Sequence, residues 1–189
     1  MSRAPCTLIL GIYRRWPRAV VPYRYKDRFT RSQRKIVHTA MTNIEEASCV
    51  RFRKRRSSDS NFVELRRTPR NTVCGANRVG YSSNSQSPSF VALTKRSCFK
   101  VGIVMHELLH VLGHVHEHQR ADRHRHLIVR PENIDLPSRD EFTVFDEIPV
   151  MRTTKYDFDS IMHYGGLRKF GVLTLQTRNP RYQGPYADI

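Results

Sequence analysis

One string constrains this chain more than any other feature: His106-Glu107-Leu108-Leu109-His110-Val111-Leu112-Gly113-His114-Val115-His116. Seven of the nine histidines fall between His106 and His126, and a histidine cluster of arbitrary order reads as a solvated polar face. The order here is specific. Residues four apart on an α-helix lie about 40° apart around the axis, so the imidazoles of His106 and His110 project from one face and can bind a single metal. Glu107, about 100° round from His106, stays near that metal without being a ligand. Gly113 is the residue type that most easily takes the left-handed turn ending a helix, and beyond it His116 supplies a third nitrogen. Three neutral imidazoles leave a tetrahedral zinc with an open position, the catalytic rather than the structural arrangement. In a shuffled chain of this composition, H-E-x-x-H is expected about 0.02 times. With glycine at the eighth place and histidine at the eleventh, the expectation falls to about 4 × 10⁻⁵.

The chain has 189 residues, the length of one domain able to bury a real core. Its 33 Lys+Arg against 17 Asp+Glu give a formal net charge of +16. Such a balance favours acidic partners in general: nucleic acid, anionic polysaccharide, a membrane surface or an acidic peptide. No stretch approaches the roughly 18 consecutive apolar residues of a membrane span. The apolar run from Leu8 to Ile12 is too short for a signal peptide and is followed by Arg14 and Arg15 without a small-residue cleavage pattern. Cys6, Cys49, Cys74 and Cys98 have no CxxC spacing, which argues against a cysteine zinc knuckle and allows up to two disulfides. Arg51, Arg53, Lys54, Arg55 and Arg56, with Arg66, Arg67 and Arg70, read as solvated surface; a face for heparin-like polymers or nucleic acid is the alternative.

Periodicity places the elements. Ala19 to Tyr25 reads as a strand, with Pro22 implying an edge position or a bulge. A helix follows, with Thr30 or Ser32 as N-cap and Ile36, Val37, Ala40, Met41 and Ile44 on one apolar face. Cys49 to Phe52, Asn61 to Leu65 and Phe90 to Leu93 read as strands. Phe99 to Val115 carries a helical rhythm that stops at Gly113. An α/β lobe and then a loop-rich second lobe are expected.

Three separated motifs then agree. His106 to Arg123, Ser160-Ile161-Met162-His163-Tyr164, and Trp16-Pro17-Arg18-Ala19-Val20-Val21-Pro22-Tyr23 together resemble the astacin family of metzincin metalloendopeptidases, including its tolloid and hatching-enzyme branches. Tyr156-Asp157-Phe158-Asp159 looks tolloid-like, and the resemblance spans roughly residues 15 to 175. It implies an α/β (α+β) zincin-like fold: an N-terminal lobe with a twisted mixed sheet and two long helices, a loop-rich C-terminal lobe, and zinc in the cleft between them. Residues 1–14 would be an N-terminal segment and 15–189 the peptidase domain, ending before the family's terminal helix.

The resemblance also implies roles. His106, His110 and His116 would bind one Zn²⁺ per chain, and Glu107 would be the general base that takes a proton from the zinc-bound water and delivers it to the leaving amine. Zinc lowers that water's pKa to about 7, so hydrolysis needs no protein nucleophile. Met162 would form an apolar floor in the Met-turn. Tyr164 matches an additional zinc ligand that swings away to hydrogen-bond the oxyanion; outside this motif it would read as a core aromatic. Glu117 matches an acidic residue that contacts the mature N-terminus, with a surface carboxylate as the alternative. His114, His118, His124 and His126 have no ligand role and read as polar surface. Cys74 and Cys98 match the family's short disulfide. Cys49 matches half of a second bridge whose partner position is absent, leaving Cys6 to substitute, pair between molecules or stay free. The family often cleaves before acidic residues through a basic group, for which Arg168, Lys169, Arg178 and Arg181 are the candidates. Protein or peptide substrates and secretion to the extracellular space follow.

Two other readings stand beside the endopeptidase. A catalytically weak truncated paralogue would act as a zinc-containing, basic matrix-binding protein. A basic nucleic-acid-binding domain would explain the charge but not the placement of Glu107 and Met162, so no specific nucleic acid partner is expected.

Overall fold

A computed structural model describes residues 15–67, 74–83, 87–94, 96–145, 154–165, 168–169 and 172–182. The chain divides into two units, the first ending at His114 and the second beginning at Val115.

The first unit is built on a five-stranded mixed sheet in the order β2-β1-β3-β5-β4. Its strands are β1 (Val20–Tyr25), β2 (Arg51–Lys54), β3 (Val63–Arg66), β4 (Gly75–Ala76) and β5 (Ser89–Ala92). β1 runs parallel to β2 and β3, β3 runs parallel to β5, and only β4 is antiparallel. Parallel neighbours need crossovers, and α1 (Arg31–Ala47) supplies the first of them. Thr30 starts it with a capping box: its hydroxyl accepts from the Gln33 amide at 3.2 Å while Gln33 Oε1 accepts from the Thr30 amide at 2.9 Å. Val37, Ala40, Met41 and Ile44 are the buried stripe, as the three-and-four spacing requires. α2 (Val101–Leu112) packs beside α1 and ends where Gly113 takes φ 105° and donates to His110 O at 2.9 Å.

Between them lies the core: Val21, Val37, Leu65, Val91, Val104, Leu108 and Val111 are each fully buried. Trp16 joins this core, its indole N–H donating to Val111 O at 2.9 Å and its ring edge-on to Tyr81. Strand alternation turns Arg24, Glu64, Arg66 and Phe90 away from the core residues Tyr23, Val63, Leu65 and Val91. Glu64 is only 1% exposed there, bonded to Arg24 and Arg66 with Lys26 Nζ 3.9 Å away.

Pro22 does not sit on an edge strand, because β1 is second in the sheet. The fold accommodates it by register. Tyr23 O accepts from Arg55 on the β2 side at 2.8 Å, so Pro22 is turned the other way, and β3 pairs with β1 only from Tyr23 onward. The missing N–H therefore removes no rung.

The second unit is loop-rich. β6 (Leu127–Val129) pairs antiparallel with β9 (Leu175–Thr177), and β7 (Arg168–Lys169) with β8 (Val172–Leu173). Leu127, Ile134, Phe142 and Leu175 form its small core. Short 3-10 segments fill much of the rest, among them Leu136–Phe142. Arg120, 1% exposed, ties these loops together by donating to Glu117, Asp122 and the carbonyls of Thr154 and Lys155.

Candidate metal centre

α2 presents His106 and His110 one turn apart, their rings at 90° and their Nε2 atoms 3.1 Å apart. Two nitrogens each about 2.0–2.1 Å from a tetrahedral zinc lie about 3.3 Å apart, so this pair already has the spacing of ligands. The second nitrogen of His110 fixes its tautomer: Nδ1–H donates to His114 O at 2.7 Å, which leaves the Nε2 lone pair facing His106. Burial, with His106 adjacent, pushes His110 down to about 4, so the ring is neutral, the form that ligates. The left-handed turn at Gly113 redirects the backbone so that the His114 carbonyl can receive that bond. His106, His110 and His116 each bring one ligand atom, and these lie within 4.8 Å of one another. Three neutral imidazoles are a donor set that fits zinc. Glu107 is 5% exposed on the same helix.

Around His116 the second unit stacks rings. Tyr164 lies 4.3 Å from His116 and 4.3 Å from His118, centroid to centroid. The Tyr164 hydroxyl donates to Glu141 Oε2 at 3.2 Å. Met162, 4% exposed, sits in a turn closed by His163 N donating to Ser160 O at 2.9 Å, and its carbonyl accepts from Glu117 N at 2.9 Å. His163 Nδ1–H donates to Tyr164 O at 2.6 Å, so its Nε2 accepts from the Tyr156 hydroxyl at 2.8 Å.

Several sequence expectations need correction. His118 is not surface: it is 0% exposed and its Nε2 donates to Glu141 O at 2.9 Å. Burial pushes His114 down to about 4, and His126 stacks on Tyr156 at 4.4 Å, leaving His124 as the exposed member of the four. Glu117 is no solvated carboxylate, since Oε1 accepts from Arg120 at 2.9 Å and from Asp157 N at 2.9 Å, and burial raises its carboxyl. Its expected N-terminal partner lies outside the described residues.

Much of the basic run is engaged internally. Arg51 donates to Glu45 O and Ser48 O at the end of α1, Arg53 is bidentate on Asp59, and Arg55 lies over Phe62 at 4.1 Å. Lys54, Arg56 and Arg67 remain exposed, and Arg70 lies outside the described residues. Of the candidate specificity residues, Arg178 Nε donates to His124 O at 2.7 Å and Arg181 is exposed. The side chains of Arg168 and Lys169 lie outside the described residues. Cys74 is bonded to Cys98. Cys49 is also disulfide-bonded; Cys6 lies outside the described residues. Sequence reasoning gave no role to Arg120, although it lies within the His106 to Arg123 motif, or to Glu141, which belongs to no motif.

A mixed sheet carrying a His-Glu helix, a glycine turn and a third histidine is the arrangement of the metzincin zinc peptidases. Comparison with known proteins narrows this class. Residues 9–186 match the family model described as astacin, a peptidase family. Mouse tolloid-like protein 1 is 38% identical over 165 residues, which cover 86% of this chain and 16% of that protein. Bone morphogenetic protein 1 of Xenopus laevis is 38% identical over 170 residues, 88% of this chain and 23% of that one. The chain thus spans under a quarter of these relatives' length. Among solved structures, high choriolytic enzyme 1, a hatching enzyme zinc-protease from the medaka Oryzias latipes, superposes with a TM-score of 0.78 at 25% identity, covering 92% of this chain and 84% of that one. The chain belongs to the astacin family of zinc metalloendopeptidases.

Proposed function

We propose that residues 15–189 form a secreted zinc-dependent endopeptidase that hydrolyses internal peptide bonds of proteins, with one zinc on His106, His110 and His116. The observation that carries this reading is the His110 ring, neutral, fixed at Nδ1 by His114 O and set with Nε2 3.1 Å from His106 Nε2. Zinc, when bound, supplies Lewis acidity and lowers the pKa of a coordinated water to about 7. With zinc held by His106, His110 and His116, the Glu107 carboxylate would take a proton from the attacking water and pass it to the leaving amine nitrogen. Tyr164 would be a further residue holding the metal, and its hydroxyl would donate to the developing oxyanion. Met162 forms the apolar floor. Two disulfide-bonded cysteine sites, Cys74–Cys98 and Cys49, fit an oxidising, extracellular setting.

The preferred substrate carries acidic residues after the scissile bond, met by a cation among Arg168, Lys169, Arg178 and Arg181. Anionic polysaccharide is the second partner. Its support is a groove of about 490 Å³ on α1, lined by Arg31, Arg34, Lys35 and His38 with Thr39, Thr42 and Asn43 and by no acidic residue. Three of these cations crowd the first turns of α1, where the helix dipole disfavours positive charge. Removing zinc with a chelator is expected to abolish peptide cleavage, and adding zinc to restore it. Folded, zinc-loaded protein that binds peptides without cleaving them would instead establish the matrix-binding reading.

A further inference from the structure

We infer that Glu141 is a positioning residue of this site, whose carboxylate orients the Tyr164 hydroxyl and backs the ring of His116. The inference rests on the reading of Tyr164 as oxyanion donor and of His116 as ligand.

Glu141 is held from both sides. Its carbonyl accepts from His118 Nε2 at 2.9 Å, and the next residue, Phe142, is buried in the small core with Leu127, Ile134 and Leu175. His118 is fully buried, so the backbone at Glu141 has a fixed origin. Its side chain nonetheless keeps 54% of its surface in solvent. From this position one oxygen, Oε2, accepts from Tyr164 Oη at 3.2 Å and lies 4.0 Å from His116 Nδ1.

Each contact has a chemical consequence. The Tyr164 ring packs against the stacked pair of His116 and His118, and the Glu141 carboxylate accepts from its hydroxyl and so sets the direction of the hydroxyl hydrogen. At His116 the 4.0 Å separation is too long for a hydrogen bond, so the carboxylate acts on that ring as a nearby negative charge. A carboxylate that merely solvates the surface would face neither group.

The test uses the full chain with zinc. For Glu141→Ala, the zinc dissociation constant measured by chelator competition is expected to rise at least about tenfold. Its kcat is expected to fall at least about tenfold with KM within about twofold, while the thermal midpoint of the metal-free protein stays within about 2 °C. Glu141→Gln keeps an oxygen that can accept from Tyr164, so it recovers most of the kcat but not the zinc affinity. In a Tyr164→Phe background kept saturated with zinc, Glu141→Ala should change kcat by less than about twofold, because the hydroxyl it orients is gone and its effect at His116 is read in the zinc affinity. Parental zinc affinity and kcat in Glu141→Ala, additive kcat losses in the double variant, or a matching drop in the metal-free midpoint would each overturn the inference. Tyr164→Phe with parental kcat refutes the reading of Tyr164 and this inference with it. A slow Tyr164→Phe beside a fully active Glu141→Ala refutes the inference alone.

Discussion

Replacing Cys74 and Cys98 together with serine should lower the thermal midpoint by about 7–14 °C. The bridge joins residues 24 apart and so closes a loop of about 25 residues. The chain-entropy relation gives about 12 cal/mol/K for that closure, or about 3.5 kcal/mol at 25 °C. In a protein of this size each kcal/mol moves the midpoint by about 2–4 °C. The loop also carries a contact to the metal helix: Gly80 N donates to His110 O at 2.9 Å. Loosening it should therefore let a chelator remove zinc at lower concentration than from the parent. Calorimetry of both proteins, with the Cys49 bridge intact, measures the first effect, and chelator titration the second. A midpoint loss under about 2 °C would refute the argument that loop closure, rather than packing alone, steadies this part of the first unit.

Glu107→Gln should retain zinc and lose at least about 10²-fold in peptide cleavage, the scale of a missing general base; parental cleavage would remove Glu107 from the mechanism. Ala19 holds φ 54°, a left-handed conformation that costs a residue with a Cβ about 1–2 kcal/mol, so Ala19→Gly should raise the thermal midpoint by about 1–4 °C after glycine's own entropy cost. A lower midpoint would contradict that. Burial alone would raise the Glu64 carboxyl, but bonds from Arg24 and Arg66 hold it below its ordinary range, and the Arg120 bond does the same for Asp122. Because the folded values lie below the unfolded value of about 4, this stability is complete above that pH and is lost as pH falls through the folded values. Urea midpoints should therefore drop between pH 6 and pH 3, and a flat profile would be inconsistent with these pairings.

Local patterns carried most of what could be foreseen. The run from His106 to His116 fixes a helix, its stop and a ligand spacing within eleven residues, because helical geometry alone decides which side chains share a face. The Thr30 cap and the apolar stripe of α1 were readable for the same reason. Pro22 misled because its tolerance depends on where a different strand, β3, begins, which no local window contains. His118 looked like one more polar residue in a histidine-rich stretch. Its burial follows from partners 23 and 46 residues away, Glu141 and Tyr164. Arg120 closes a network reaching Thr154 and Lys155, and a buried arginine is rare enough that no residue-level expectation would have placed it there.

The indole of Trp16 is the chain's only tryptophan, and its N–H rests on the carbonyl of Val111, the residue immediately after His110, one of the three candidate ligands. The protein thus contains a single tryptophan among its intrinsic fluorophores, shielded from water and bonded to the last turn of α2. Its emission wavelength and quenching report the core around that turn, without the averaging that several tryptophans impose. Release of the helix end on zinc removal would register as a red shift of the emission. An optical titration of the natural sequence can therefore follow the metal helix without any introduced label.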